Sequence, residues 1–260
     1  MRDRPGGEWG RRRPGPPAGG PRPDPLAARV AELQRTTGVP LDVAKAVAQG
    51  RLDLNEALKR MAFADEVNAL MARHGLERAL ATQVAMGHAE LERVLRKRRI
   101  ETHLHDNRER DVFVSSARSG APQVVGVYGR TLLNVKVLAD GPYEVQVRDL
   151  DKGEDVALHK TQVKFVCDAQ VWSKARKAMT WDATRKARQV SPILRPQQRF
   201  GCSNRRLGDA WDNKGEVVVT LAEGEVFTGT IAWIGRWELG LRTKGGDIAL
   251  LRHAFDDFRE

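Results

Sequence analysis

The run EVVVTLAEGEVFTGTIAWIGRWELGLRTKGGDIALLRHAFDDF, from Glu216 to Phe258, constrains the chain most, because its short apolar stretches broken by glycines suit one small, sharply bent antiparallel sheet. Val217, Val219 and Leu221 alternate with Val218 and Thr220, the period of a strand with one buried face. Glu223-Gly224 marks the turn that follows. Gly229 allows the next strand to bend on itself, and Gly245-Gly246 marks a later hairpin. Ala254 to Phe258 reads as a short last strand.

A looser copy lies upstream, from Val124 to Val166, offset by 94 residues. Val125, Val127, Val137, Gly141, Tyr143 and His159 fall opposite Val219, Leu221, Ile231, Gly235, Trp237 and His253. The aromatic-to-histidine interval is sixteen residues in both copies. In the copy, Pro142 stands for Arg236 and Leu158 for Arg252, with Lys160 just beyond the histidine. The pairs Arg236-Trp237 and Arg252-His253 form two polar-aromatic corners with the chemistry of nucleic-acid contacts. An indole or phenol stacks on bases, guanidinium groups meet phosphates or base edges, and imidazole donates or accepts near neutral pH.

A short helix, then LxxGxxxxGxI, a turn with a polar-aromatic pair, and a basic-His-Ala triplet before the last strand resemble the bacterial Sm-like RNA chaperone family, Hfq, over residues 203–258. The resemblance implies two Sm-like units, 112–168 and 203–260, with Arg236, Trp237, Arg252 and His253 gripping uridine-rich single-stranded RNA. Tyr143, His159 and Lys160 form a weakened equivalent. It further implies a hexameric ring, here three chains with two units each; a monomer of two self-paired sheets is the other arrangement. Two departures stand out. Thr220 occupies the place of a purine-reading aromatic, and Trp211, Asp212, Asn213 and Lys214 occupy that of an arginine-rich rim, for which Arg205 and Arg206 are candidate substitutes.

Residues 26–110 have helical periodicity with a 37-residue repeat. Gly38, Ala44, Val47, Ala48, Gly50, Leu54 and Leu58 align with Gly75, Ala81, Val84, Ala85, Gly87, Leu91 and Leu95. Each copy reads as a helical hairpin, with Gly50 or Gly87 ending a helix and, in the first copy, Asp53 capping the next. A DNA-reading helix-turn-helix is the alternative for the second copy, although its second helix opens with Glu90 and Glu92, which would face phosphates.

Charge is unevenly distributed. The 260 residues carry a net +10, which favours polyanionic partners. Residues 169–206 hold ten Lys and Arg against one Asp, whereas residues 207–260 hold six against ten Asp and Glu. A partly helical basic linker over 169–202 is therefore a candidate phosphate strap, through Lys174, Arg176, Lys177, Arg185, Lys186 and Arg188; a solvated tether is the plainer reading. Residues 1–25, rich in Arg, Pro and Gly, are expected to form a disordered basic tail. Cys167 and Cys202 lack metal or redox spacing and fit a reducing compartment. No secretory leader or membrane span is evident, so a cytoplasmic location is expected. With no catalytic constellation, phosphate loop or metal quartet, the sequence points to an α+β binding protein that is not an enzyme and uses no cofactor. Helical hairpins followed by two small bent β-barrels are the expected architecture. A DNA-binding regulator or an interaction scaffold are the competing functions.

Overall fold

The computed structural model describes residues 24–188 and 190–260, so the expected basic tail lies, except for its last two residues, outside the described residues. One compact unit ends at Ala89 and a second spans Glu90–Glu260.

The first unit contains α1 (Pro25–Thr37), α2 (Leu41–Ala48), α3 (Leu54–His74) and α4 (Arg78–Ala85). The repeat is visible in the backbone: α2 and α4 begin 37 residues apart, and Gly38, Gly50, Gly75 and Gly87 all adopt positive φ. That left-handed conformation ends a helix at little cost only without a Cβ. Asp53 caps α3 by accepting the Glu56 N–H at 3.0 Å. Val30, Val39 and Ala44 form one buried cluster, against which Leu58 and Met61 pack, and Ala57, Val67, Leu76 and Ala81 are buried as well.

The helical domain expected over 26–110 is divided. Its last helix, α5 (Leu91–Asp106), belongs to the second unit. None of its residues is fully buried, yet Leu104 packs against the core of this unit and Ile100 lies against Gly208 of the later helix at Asn204–Asn213.

The second unit continues with α6 (Val112–Ser119), β1 (Pro122–Val127), β2 (Thr131–Asp140), β3 (Glu144–Asp149), β4 (Asp155–His159) and β5 (Val163–Asp168). After α7 (Ala169–Ala178), β6 (Thr180–Trp181) and α8 (Ala183–Lys186), the pattern returns as α9 (Asn204–Asn213), β7 (Glu216–Leu221), β8 (Glu225–Ile234), β9 (Glu238–Thr243), β10 (Gly246–Leu251) and β11 (Phe255–Arg259). Each module is thus a helix and five strands, with a 3₁₀ turn before the last strand at Lys160–Gln162 or Arg252–Ala254.

The two expected barrels are instead one continuous antiparallel sheet. Its path is β11-β7-β8-β9-β10-β5-β1-β2-β3-β4, with β6 paired to β8, and it is open at β11 and β4. The physical reason lies at the strand edges. A five-stranded module leaves unpaired N–H and C=O groups on both outer strands, and joining β5 to β10 satisfies two of those edges. Ile248, Ala249 and Leu250 lie opposite Cys167, Val166 and Phe165. The modules also exchange core residues there: Phe165 of the first is buried with the second core, and Leu251 of the second with the first.

A buried ionic cluster spans the same seam. Lys164 of β5, with no exposed surface, lies between the carboxylates of Glu223 and Glu225 at the β7–β8 turn. Glu223 also accepts the N–H groups of Gly129 and Arg130, at 3.0 and 3.2 Å. The basic linker is folded onto the sheet as well. Ala175 of α7 is buried, Trp172 stacks on Phe165 at 5.3 Å, and β6 extends the second module, so the tether reading fails for this segment.

Candidate nucleic-acid interface

Matching hydrogen bonds fix the correspondence between the modules. Gly141 N–H donates to the Glu144 carbonyl and Gly235 N–H to that of Glu238, each at 2.9 Å, which keeps the 94-residue offset through the β2–β3 and β8–β9 turns. Beyond the next hairpin the offset changes. Lys160 N–H donates to the Tyr143 carbonyl at 2.8 Å and Arg252 N–H to the Trp237 carbonyl at 2.9 Å, so Lys160 corresponds to Arg252, 92 residues on. The β9–β10 hairpin is two residues shorter than its counterpart. The equal sixteen-residue intervals therefore do not align His159 with His253. Leu251 matches His159, and Thr161 matches His253. His159 caps the 3₁₀ turn, its Nδ1 accepting the Thr161 N–H at 3.3 Å.

Both turns open into one cavity at the seam, of about 640 Å³. Tyr143, His159, Lys160 and Thr161 come from the first module, and Trp237, Glu238 and His253 from the second. The aromatic rings are not core: Tyr143 is 74% and Trp237 59% exposed. The Arg236 guanidinium lies 4.8 Å from the centre of the indole, a cation–π contact beside the cavity.

Other expected contacts are committed to the fold. Arg252 donates to the carbonyl of Cys202 and to Asn204 Oδ1, both at 2.8 Å, and more weakly to the Gly235 and Arg236 carbonyls. Burial lowers its pKa, and its donors hold the start of α9 rather than face a phosphate. Lys160 lies 2.6 Å from Asp140 and 3.4 Å from Asp111. His253 is mostly buried, and burial, then Arg199, pushes its pKa down to about 4, so it is neutral at physiological pH. Arg206 donates to the Phe258 carbonyl at 2.7 Å and pairs with Glu260, whereas Arg205 is exposed on α9.

The strap residues lie elsewhere, with none lining this cavity. Lys174, Arg176, Lys177 and Arg188 are exposed, Arg185 pairs with Asp182 and Asp256, and Lys186 sits 4.7 Å above the Trp181 ring. Thr220 is buried, so the first strand of the second module presents no platform at that position.

Three carboxylates at the cavity escaped the sequence reading: Asp111, Asp140 and Glu238. Glu238 is only 2% exposed, and its Oε2 accepts the Val112 N–H at 2.9 Å, at the start of α6. Burial, followed by Asp111, pushes its pKa up to about 8. Its counterpart Glu144 is exposed, so residue type alone does not distinguish them. Asp111 carried a local signal as the N-cap of α6, accepting the Phe113 and Val114 N–H groups at 2.7 and 3.2 Å.

At the positions that depart from an arginine-rich rim, α5 packs on α9. Arg96 and Arg99 each reach Asp212 at 3.1 Å, Arg96 reaches Asp209 at 3.2 Å, and His103 stacks on Trp211 at 3.8 Å. The Arg99 hydrogen bond is the main cause of the lowered Asp212 pKa.

No helix among the described residues is long and apolar enough to cross a membrane. No protein-family model matches the chain, and neither does any curated protein or solved structure.

Proposed function

We propose that this protein binds single-stranded RNA, as an RNA chaperone or post-transcriptional regulator of the Sm-like type, with a base held at the seam between its two modules. The observation that carries the reading is the convergence of Tyr143 and Trp237, both exposed and each at the β-turn of its own module, on one cavity. Stacking on such platforms contributes roughly 1–3 kcal/mol per base and tolerates any base. Lys160 is already paired with carboxylates, Arg199 donates to the Ile193 and Leu194 carbonyls and Glu238 also lines the cavity, so it suits a base better than a phosphate.

Filter binding of oligo-U, oligo-A and duplex DNA at two salt concentrations tests this reading. Retention of the single-stranded RNAs over duplex DNA, lost in Trp237→Ala, is the expected result. Preference for duplex DNA, unaffected by Trp237→Ala, would move the function to the helical repeats. Absence of binding to every probe would leave a scaffold.

The same reading includes self-assembly. The β5–β10 pairing within the chain supplies a pattern for joining β11 of one copy to β4 of the next, closing three chains into a six-module ring. In the carried-over register, Val156, Ala157 and Leu158 face Arg259, Phe258 and Asp257. Sedimentation should report a trimer that Ala157→Pro disperses, since proline removes a ladder donor; a wild-type monomer would reject the ring.

A further inference from the structure

A base seated among carboxylates leaves its phosphates to be met elsewhere, and the groove beside α5 has the required charge. Arg93, Arg96 and Lys97 of α5 and Arg205 of α9 line a cavity of about 580 Å³, against two acids, Glu101 and Asp209. A second cavity of about 410 Å³ shares Leu104 with it and is lined by His105, Arg108, Asn204 and Arg236. Arg236 in turn stacks on Trp237, which faces the seam cavity. The three cavities therefore follow one another from Arg93 to the aromatic pair. From Arg93 to Leu104 the helix alone spans about 16 Å at 1.5 Å per residue.

The cations of this groove fall into two groups. Arg96 is engaged with Asp209 and Asp212, which helps fasten α5 to α9. Arg93 and Arg205 form no ion pair among the described residues, and Lys97 has only an exposed contact to Glu101 at 3.7 Å. Exposed cations outside the packing network retain their charge for a mobile polyanion, and neutralising each phosphate releases counterions.

Resting on the RNA reading above, we infer that the α5–α9 groove carries the phosphate backbone of the strand whose base occupies the Tyr143/Trp237 cavity. The helix added ahead of the two modules thereby lengthens the binding site. The ligand is one continuous single strand, with the base cavity at one end and the groove receiving the flanking nucleotides.

Fluorescence anisotropy with oligo-U of about 5 and about 15 nucleotides, lengths within the range that single-strand-binding modules cover, tests the groove in the full chain. Replacing Arg93, Lys97 and Arg205 together by Ser leaves the Arg96 and Arg99 ion pairs intact. The long oligonucleotide should bind this variant about tenfold more weakly, with its log-log salt slope reduced by about 2, from about 0.7 per phosphate contact. Binding of the short one should be unchanged, which also shows that the variant is folded. Glu101→Lys should tighten the long oligonucleotide alone. Equal loss for both lengths, or an unaltered salt slope, overturns the groove. If the wild-type chain binds the two lengths equally, the groove fails and the base cavity stands. If it binds neither, the RNA reading fails first.

Discussion

The two modules share one hydrogen-bonding register yet pack it with different residues. Gly229 pairs with Val217 and Thr243 in the second module, and Val135 pairs with Gln123 and Asp149 at the same positions of the first. A Cβ at Gly229 would lie 2.2 Å from the Arg242 carbonyl oxygen, whereas the first module accommodates a buried valine. Glycine is therefore a requirement of close backbone approach in one module and not of the topology itself. The seam shows a similar asymmetry. Lys164 occupies the β5 position that Asp256 holds in β11, and the acids facing it, Glu223 and Glu225, correspond to Gly129 and Thr131. The joined edge has a buried ionic lock, and the open edges have no copy of it.

The largest expected effect tests that lock. Lys164→Met leaves two carboxylates buried without a cation, and breaking such a cluster costs about 3–5 kcal/mol. Urea denaturation should show this loss, and replacing Glu223 and Glu225 by Met in the same chain should recover much of it. An unchanged midpoint for Lys164→Met would mean that the cluster does not hold the modules together.

A smaller effect, of a few kcal/mol at most, contrasts buried Glu238 with exposed Glu144. Between its ordinary value of 4.5 and about 8, Glu238 keeps a proton in the folded state that the unfolded chain has lost. Stability must therefore fall as pH rises through that window. His253 acts in the opposite direction. The unfolded imidazole takes up a proton below about 6.5 that the folded one refuses until about 4, so stability falls as pH drops through that range. Thermal melts across pH should lose the alkaline limb in Glu238→Gln and the acid limb in His253→Gln, while Glu144→Gln changes neither.

Gly229→Ala sharpens the contrast in packing. The added methyl meets backbone rather than a flexible side chain, and overpacking of this kind costs about 1–3 kcal/mol. A calorimetric midpoint equal to that of the wild type would show that β8 can move away from Arg242. The smallest effect belongs to the exposed aromatics. Tyr143→Ala should change stability by no more than about 0.5 kcal/mol while weakening RNA binding, since an exposed ring contributes little to folding.

Much of each module was legible locally. Strand alternation at Val217–Leu221, the turn at Gly224 and the hairpin at Gly245-Gly246 follow from period and turn chemistry, and the structure has all three. The 37-residue repeat was legible for the same reason, because helix ends require glycine at fixed positions. At the candidate site the sequence reading located Tyr143 and Trp237 and their turns. It misaligned His159 with His253, because a two-residue change in a hairpin is invisible to a spacing count. It also took Arg252 and Lys160 for free cations, because nothing in a linear sequence shows which carbonyl or carboxylate will lie beside them.

The chain by itself determined its local elements: strands where β-branched residues alternate, helix ends at glycine, and an aromatic residue at the β2–β3 and β8–β9 turns. These depend on interactions among near neighbours, whose energies are set by residue type and short spacing. Only the tertiary structure decided that two modules merge into one sheet, that Glu238 is buried while Glu144 is not, and that α5 covers α9. Each of those outcomes brings together residues distant in sequence, where burial and unpaired backbone edges, rather than local preference, select the partner.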